Sequence, residues 1–386
     1  MRNLTLLTLV CLACISNMLS CTDDSEPIVP AEKTVIFYMM SDGLDSHIQN
    51  NIKDITEGSK SIGENNNILV FADFWHKNSY IFKITRGKVD TVKRYDENLC
   101  NADPNVMRNV LEWCVSNYHA NSYAISIGSH GSAWLIENDT IPFRYSPKNA
   151  VGRNYDNDKF INIPTLAKVF SYIPHLDFIL FDCCNMQSIE LAYELRKCAD
   201  YIIGVPSELP SHGAYFLTLL PEMFKSAKAV TDEYFRSYAT LATDSLPISM
   251  VKADELENLA AATKAVIGYI MPENPSRINM ENTIYYANLE EPNLPFLYDM
   301  NNVMLNHLPK DVYDEWHKAF DKAVPVRHGC TKWKSDMLSS YDFNSFTVNK
   351  NTFGGISMYV PHEDFISTSY NKDFRILSWS SVFPSP

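Results

Sequence analysis

Continuous apolar runs alternate along this chain with stretches whose apolar positions recur every three or four residues. "KTVIFYMM" (33–40) is the first continuous run, of strand length and bounded by polar residues. In "SDGLDSHIQNNIKDITEG", Leu44, Ile48, Ile52 and Ile55 then fall at helical spacing. "NNNILVFADF" (65–74) reads as a second strand, and "NSYIFKITRGKVDTVKRY" as an antiparallel hairpin turning at Arg86-Gly87. Residues 103–118 predict a helix, with Val106, Val110, Leu111 and Cys114 on one face and Asp103 as its cap. "YAISIGSHGSAWL" (123–135) supplies a strand, "PTLAKVFSYI" a helix, "LDFILFD" (176–182) a strand, and "ADYIIGVPSE" (199–208) a strand running into a loop. This alternation predicts an α/β fold with a largely parallel sheet. After about residue 250 the pattern changes. Helical stretches (251–271 and 311–325) mix with the loop-rich "PENPSRINMENTIYYANLEEPNLPF" and a strand-like "GGISMYVP" (354–361). The expected organisation is a core over 33–250 with a C-terminal α+β region, 251–386, packed on it.

The first residues stand apart. Arg2 is the only charge before "LTLLTLVCLACISNMLS", which reads as a signal peptide over 1–20. Cys21 follows Leu19 and Ser20 as the lipidated cysteine of a bacterial lipobox does, although Met18 departs from that pattern. The acidic, Pro-containing "TDDSEPIVPAE" then serves as a tether, 21–32, similar to the surface-export tethers of Bacteroidetes lipoproteins. These features imply an exported protein, anchored through lipid at Cys21 to the outer membrane or cell surface, with no other membrane contact. A plain signal peptide with a coincidental cysteine is the other reading. Net charge is −13 with no basic cluster, so nucleic acid is not an expected partner. Outside the leader, Cys100, Cys114, Cys183, Cys184, Cys198 and Cys330 have neither disulfide-framework nor zinc-site spacing.

In parallel sheets, reactive groups collect at the carboxyl ends of strands. Two such ends carry chemistry here: His130 between Gly128 and Gly131, and Cys184 just after "LDFILFD", 54 residues later. A thiol is mostly protonated at neutral pH and needs a base or an electropositive setting to act as a nucleophile. A histidine on a neighbouring strand end meets that need, and the flanking glycines let the backbone turn beside the imidazole.

The pair "SHGSAW" (129–134) and "DCCNMQSIELAYEL" (182–195) resembles the clostripain family of cysteine peptidases, which groups with caspases, gingipains and legumains. "VIFYMMSDGLD", "YDNDKFINIPTLAKVF" and the late "GGISMYVP" extend the resemblance over most of the chain after the leader. It implies a caspase-like α-β-α sandwich and a cysteine endopeptidase that cleaves after Arg or Lys through a Cys/His dyad. Position by position, His130 matches the family histidine and Cys184 the nucleophile. Asp182 matches the acidic residue of the specificity pocket, and Ser207 is a further candidate for substrate binding. Backbone N–H groups at Gly131 and Cys184 would hold the oxyanion. One departure is Cys183, which stands where the family has a small residue, so two thiols compete. Period two on a strand sends them to opposite sides, and Cys184 keeps the Asp-x-Cys spacing. The resemblance also implies self-cleavage between His130 and Cys184. The polar segment "IENDTIPFRYSPKNAVGRNYDNDKF" offers Arg144, Lys148 and Arg153, with Lys148 the first choice. An ordinary surface loop in an enzyme active as one chain is the competing reading. No cofactor is expected. Calcium dependence occurs in parts of the family, but no loop here has calcium-ligand spacing. The expected partners are peptide or protein substrates with Arg or Lys, and the expected state is a monomer.

Plainer readings exist for each residue. Asp182 can be a helix cap for 185–195, His212 in "SELPSHGAYF" a surface-loop residue, and His328 a packing partner near Cys330. For the whole chain the rivals are a lapsed peptidase fold serving as a surface binding lipoprotein, and a different Cys-His hydrolase or acyltransferase. The intact His/Asp/Cys set argues against the lapsed fold.

Overall fold

Strand β1 (Ala31–Met40) is the first apolar run, and Val35–Met40 are all at most 1% exposed. The computed structural model describes residues 29–41, 43–74, 77–96, 99–136, 151–154, 159–241, 246–271, 278–289, 294–334, 343–345, 348–349, 351–361 and 369–384. Ala31–Pro386 forms one unit. In chain order the main sheet contains β1, β2 (Asn66–Asp73), β3 (Tyr80–Thr85), β4 (Lys88–Arg94), β5 (Ala120–Gly128), β6 (Leu176–Asp182), β7 (Ala199–Gly204), β8 (Ile248–Lys252) and β9 (Val326–His328). In space the order is β9-β8-β7-β6-β5-β1-β2-β3-β4. The inner five, β2-β1-β5-β6-β7, are parallel, and the outer pairs are antiparallel.

Helices cover both faces. On one lie α1 (Asp45–Gly58), α5 (Phe216–Met223) and α6 (Ala227–Leu241), packing Ile55, Phe216 and Val230 against Val35, Phe37 and Met39. On the other lie α2 (Pro104–Asn117), α3 (Ile163–Phe170) and α4 (Ile189–Leu195), packing Val110, Leu166 and Leu191 against the alternate strand residues Ile36, Tyr38 and Met40. A strand buried on both faces must be apolar at every position, which is why these strands read as continuous runs. The α-β-α sandwich predicted from the sequence is the observed fold. Asp103 caps α2 by accepting the Asn105 amide at 2.8 Å. The hairpin turns at Arg86 and Gly87, both at positive φ, as a two-residue loop with the twist of its strands requires.

Three of the departures from the sequence reading concern strands. Val151–Asn154 and Lys159–Ile161 form a short antiparallel ladder inside the segment expected to be loop. Only Ser357 and Met358 of "GGISMYVP" enter a ladder, beside Leu294–Asp299. Other amides of that run bond to side chains: Tyr359 to Glu190, and Gly354 and Gly355 to Asp299. Third, β9 comes from the C-terminal region yet forms the edge of the main sheet.

Candidate active site

The ladder between β5 and β6 pairs Gly128 with Asp182, and each of its pairs is 54 residues apart. His130 and Cys184 have that same separation. The ladder ends at that pair, two residues before His130 and Cys184, so the turns that carry them leave neighbouring strand ends. The two turns then meet backbone to backbone. A Cβ built on Gly131 would lie 2.6 Å from the Cys184 carbonyl oxygen and 2.9 Å from Cys183 Cβ. No side chain fits there, so the glycine after the histidine is a condition of the close approach.

Beyond Cys184 the chain reverses at Asn185, whose φ of +58° is one that asparagine tolerates better than most residues. Its amide donates to the Ser207 carbonyl at 2.8 Å, tying the turn to the loop after β7. That loop also reaches Cys184. The Leu209 amide donates to Cys184 Sγ at 3.3 Å, and the thiol lies 3.6 Å from the Leu209 carbonyl oxygen. The amide suits the thiolate and the carbonyl suits the thiol, so this loop holds the sulfur in either form. Cys184 is half-buried, whereas Cys183 is fully buried and donates to the Ile127 carbonyl at 3.3 Å. Burial, and then the Asp182 charge, push the Cys183 thiol well above its ordinary value. The adjacent thiols therefore differ in environment, although both lie in the turn after the strand and not on its two sides.

Asp182 is not a helix cap. Helix α4 starts at Ile189, and Ser188 caps it by accepting the Leu191 amide at 3.2 Å. The Cys183–Gln187 turn separates Asp182 from that helix. Its carboxylate instead accepts the Tyr234 hydroxyl at 2.7 Å and the Ala214 amide at 3.1 Å. Gly213, at φ +65°, passes so close that a Cβ there would collide with the carboxylate. Burial raises the Asp182 carboxyl to about 6, and the two hydrogen bonds pull against that rise. An ionised carboxylate has about four acceptor positions, so two donors do not saturate it.

Ser207 is buried, and its hydroxyl donates to the Glu208 carbonyl at 3.3 Å, so its visible role is in the loop's own structure. His212 is half-buried, not a bare loop residue. Its ring stacks on Tyr238 at 5.6 Å and tilts against Tyr215 at 5.1 Å. His328 packs not beside Cys330 but on α6, bonding Asp232 at 2.8 Å and stacking on Phe235. It lines a cavity of about 690 Å³ with Phe235, His317, Arg327 and Phe353, where Arg327 is paired with Asp321. Among the described residues, no three His, Cys, Asp or Glu side chains cluster as metal ligands, and no helix is long and apolar enough to cross a membrane. Cys21, Arg144 and Lys148 lie outside the described residues, as does the side chain of Arg153.

Tyr234, Ala214 and Leu209 escaped the sequence reading. For Tyr234 a signal existed in the four-residue spacing of Val230, Tyr234 and Tyr238. The Leu209 and Ala214 contacts are made by backbone amides, which no side-chain pattern marks.

A family model described as the clostripain family matches residues 37–384. Clostripain of Hathewaya histolytica is 21% identical over 192 residues, which cover 42% of this chain and 36% of that protein's length. A secreted C11 cysteine protease of Bacteroides thetaiotaomicron, solved with an irreversible peptide inhibitor, is similar with a TM-score of 0.77 and 27% identity, over 92% of this chain and 99% of that one. An inactive zymogen C11 protease of Parabacteroides distasonis gives 0.78 and 26%, over 93% and 100%.

Proposed function

The chain belongs to the clostripain family of cysteine peptidases, and we propose that it is an exported endopeptidase that cleaves after Arg or Lys, with Cys184 as nucleophile and His130 as its acid–base partner. One observation supports the reading: the ladder that ends at Gly128 and Asp182 puts the two turns on neighbouring strand ends, and Gly131 packs against the Cys184 carbonyl. The Cys184 thiolate attacks the scissile carbonyl carbon, and the amide π electrons move onto oxygen. Amides at Gly131 and Cys184 receive that oxyanion. As the tetrahedral intermediate collapses, the C–N bond breaks and His130 gives its proton to the leaving amine. Water, deprotonated by the same imidazole, then cleaves the thioester and restores the thiol.

The Arg/Lys preference rests on Asp182, a carboxylate next to the nucleophile held, among the described residues, by the neutral donors Tyr234 and Ala214. A guanidinium or ammonium would supply the missing counter-charge. Ser207 contributes to this pocket through the loop it braces. Export, the lipid anchor at Cys21 and self-cleavage at Lys148 remain part of the proposal, supported by the leader sequence and the family resemblance.

A peptidyl-Arg or peptidyl-Lys electrophile should label the mature protein at one cysteine. Cys184→Ala should abolish both labelling and cleavage, while Cys183→Ala should keep most of each. Labelling lost in Cys183→Ala and kept in Cys184→Ala would overturn the assignment. A positional peptide library cut equally after neutral residues would overturn the specificity.

A further inference from the structure

We propose that Tyr234 is a positioning residue for substrate selection: its hydroxyl aims the Asp182 carboxylate at the pocket, and the preference for Arg or Lys switches off as that carboxyl takes up a proton. The inference rests on Asp182 being the carboxylate that receives the basic side chain.

Asp182 is 5% exposed, and its hydrogen-bond donors are neutral: the Tyr234 hydroxyl on one oxygen and the Ala214 amide on the other. A buried carboxylate without its own cation is a costly arrangement unless a counter-charge arrives from outside. Tyr234 is itself fixed by its neighbours. Its ring lies parallel to Tyr238 at 5.5 Å. The Tyr238 hydroxyl donates to the Gly213 carbonyl at 2.7 Å. The same helix α6 thus supplies one donor to Asp182 and anchors the loop that supplies the other. Removing the Tyr234 hydroxyl leaves the rings stacked and frees one carboxylate oxygen.

The ionisable groups facing Asp182 are Tyr234 and Tyr238 from α6 and Cys183 beside it on the chain. Burial drives all three above their ordinary values, so none titrates in the acid-to-neutral range. His212, stacked on Tyr238, is pushed down by burial and then by His47, and it is the group that must be separated from Asp182. The carboxyl itself titrates at about 6. Tyr234 donates to its charged form, so losing the hydroxyl moves the midpoint upward.

The experiment uses two peptide amides that differ only in Arg or its neutral isostere citrulline before the scissile bond. The ratio of their kcat/KM values cancels the titration of His130 and Cys184, which both substrates share. In the unmutated protein the ratio should fall as pH drops from 8 to 5, with a midpoint near 6. Tyr234→Phe should lower the ratio at pH 7.5 about tenfold, through KM, and raise the midpoint. His212→Gln should leave the midpoint in place. A flat ratio from pH 5 to 8 in the unmutated protein overturns the proposal, whether or not any variant folds. So does a midpoint that moves with His212→Gln. Asp182→Asn tells the two levels apart. If it keeps the Arg preference, the specificity reading itself falls. If it loses the preference while Tyr234→Phe changes neither ratio nor midpoint, only the role of Tyr234 falls.

Discussion

Glu190 shows how much one side chain can hold back from a sequence reading. It belongs to the "IELAYEL" signature, yet its carboxyl is fully buried and accepts the Tyr359 amide at 2.7 Å, 169 residues away. Burial raises it to about 8 from an ordinary 4.5. Between those values the folded state holds a proton that the unfolded state has released. Stability from this group is therefore complete below about pH 4.5 and is lost as pH climbs through 8. Glu190→Gln removes the titration. Its melting temperature should match the unmutated protein near pH 4.5 and exceed it by roughly a few degrees at pH 8.5. A constant gap across a melting series in pH would show that Glu190 does not titrate in this way. Gly131 is the complementary case, because the glycine could be picked out while its contact with the Cys184 turn could not. Gly131→Ala pushes a methyl into the Cys184 carbonyl and Met186. With the turns forced apart, cleavage should drop about 100-fold or more. Ordinary activity in that variant would mean the strand ends yield easily. His130, Cys184 and Asp182 could be picked out because each ends an apolar run. The donors to Asp182 and Cys184 could not, because proximity between turns is set by the sheet's strand order.

Elements were legible where one physical requirement dominates. The buried parallel strands need apolar residues at every position, and α2 carries both its stripe and its cap. Helix α6 was missed because its inward face mixes Val230 and Tyr234 with the buried polar residues Thr231, Glu233 and Ser237. Strand β9 is three half-buried residues, too short for any period to show. Gln187 shows how elements are then joined. Its side-chain amide donates to the Ser249 carbonyl at 3.0 Å and to the Ser249 hydroxyl at 2.9 Å on β8. Its own carbonyl accepts the Ser357 amide at 2.9 Å, and its amide donates to the Val205 carbonyl. Gln187→Ala keeps the backbone bonds and deletes the side-chain ones, leaving a void beside Gly204. A loss of about 2–4 kcal/mol is expected in urea unfolding. The turn that carries Cys184 shares this residue, so kcat should fall as well. Unchanged stability would mean that the β8 contact contributes nothing.

At the scale of the molecule, the change of pattern near residue 250 is a change in local texture that the buried hydrogen bonds cross. The Ser249 hydroxyl donates to the Gly355 carbonyl at 2.6 Å, the Tyr359 amide to Glu190 at 2.7 Å and the Ser357 amide to the Gln187 carbonyl at 2.9 Å. The last stretch also covers the histidine motif. Trp134, four residues after His130, packs against Tyr359 at 4.7 Å and Phe374 at 5.8 Å. Trp379 packs against Tyr193 of α4 at 5.3 Å. All of Trp134, Tyr359, Phe374 and Trp379 are fully buried. A chain ending at Lys350 lacks Tyr359, Phe374, Trp379 and Phe383, and it bares their partners. Deleting one large buried aromatic costs about 3–5 kcal/mol, and whole proteins hold a margin of only about 5–15 kcal/mol. Four such losses exceed that margin. The truncated chain should therefore be insoluble or melt without cooperativity, and an Arg electrophile should not label Cys184. Tyr359→Ala alone should stay folded, with a lower melting temperature and a weakened site, because it removes one of the four. If the truncated chain melts cooperatively and still labels at Cys184, residues 351–386 are an appendage and the packing around Trp134 does not hold the histidine turn.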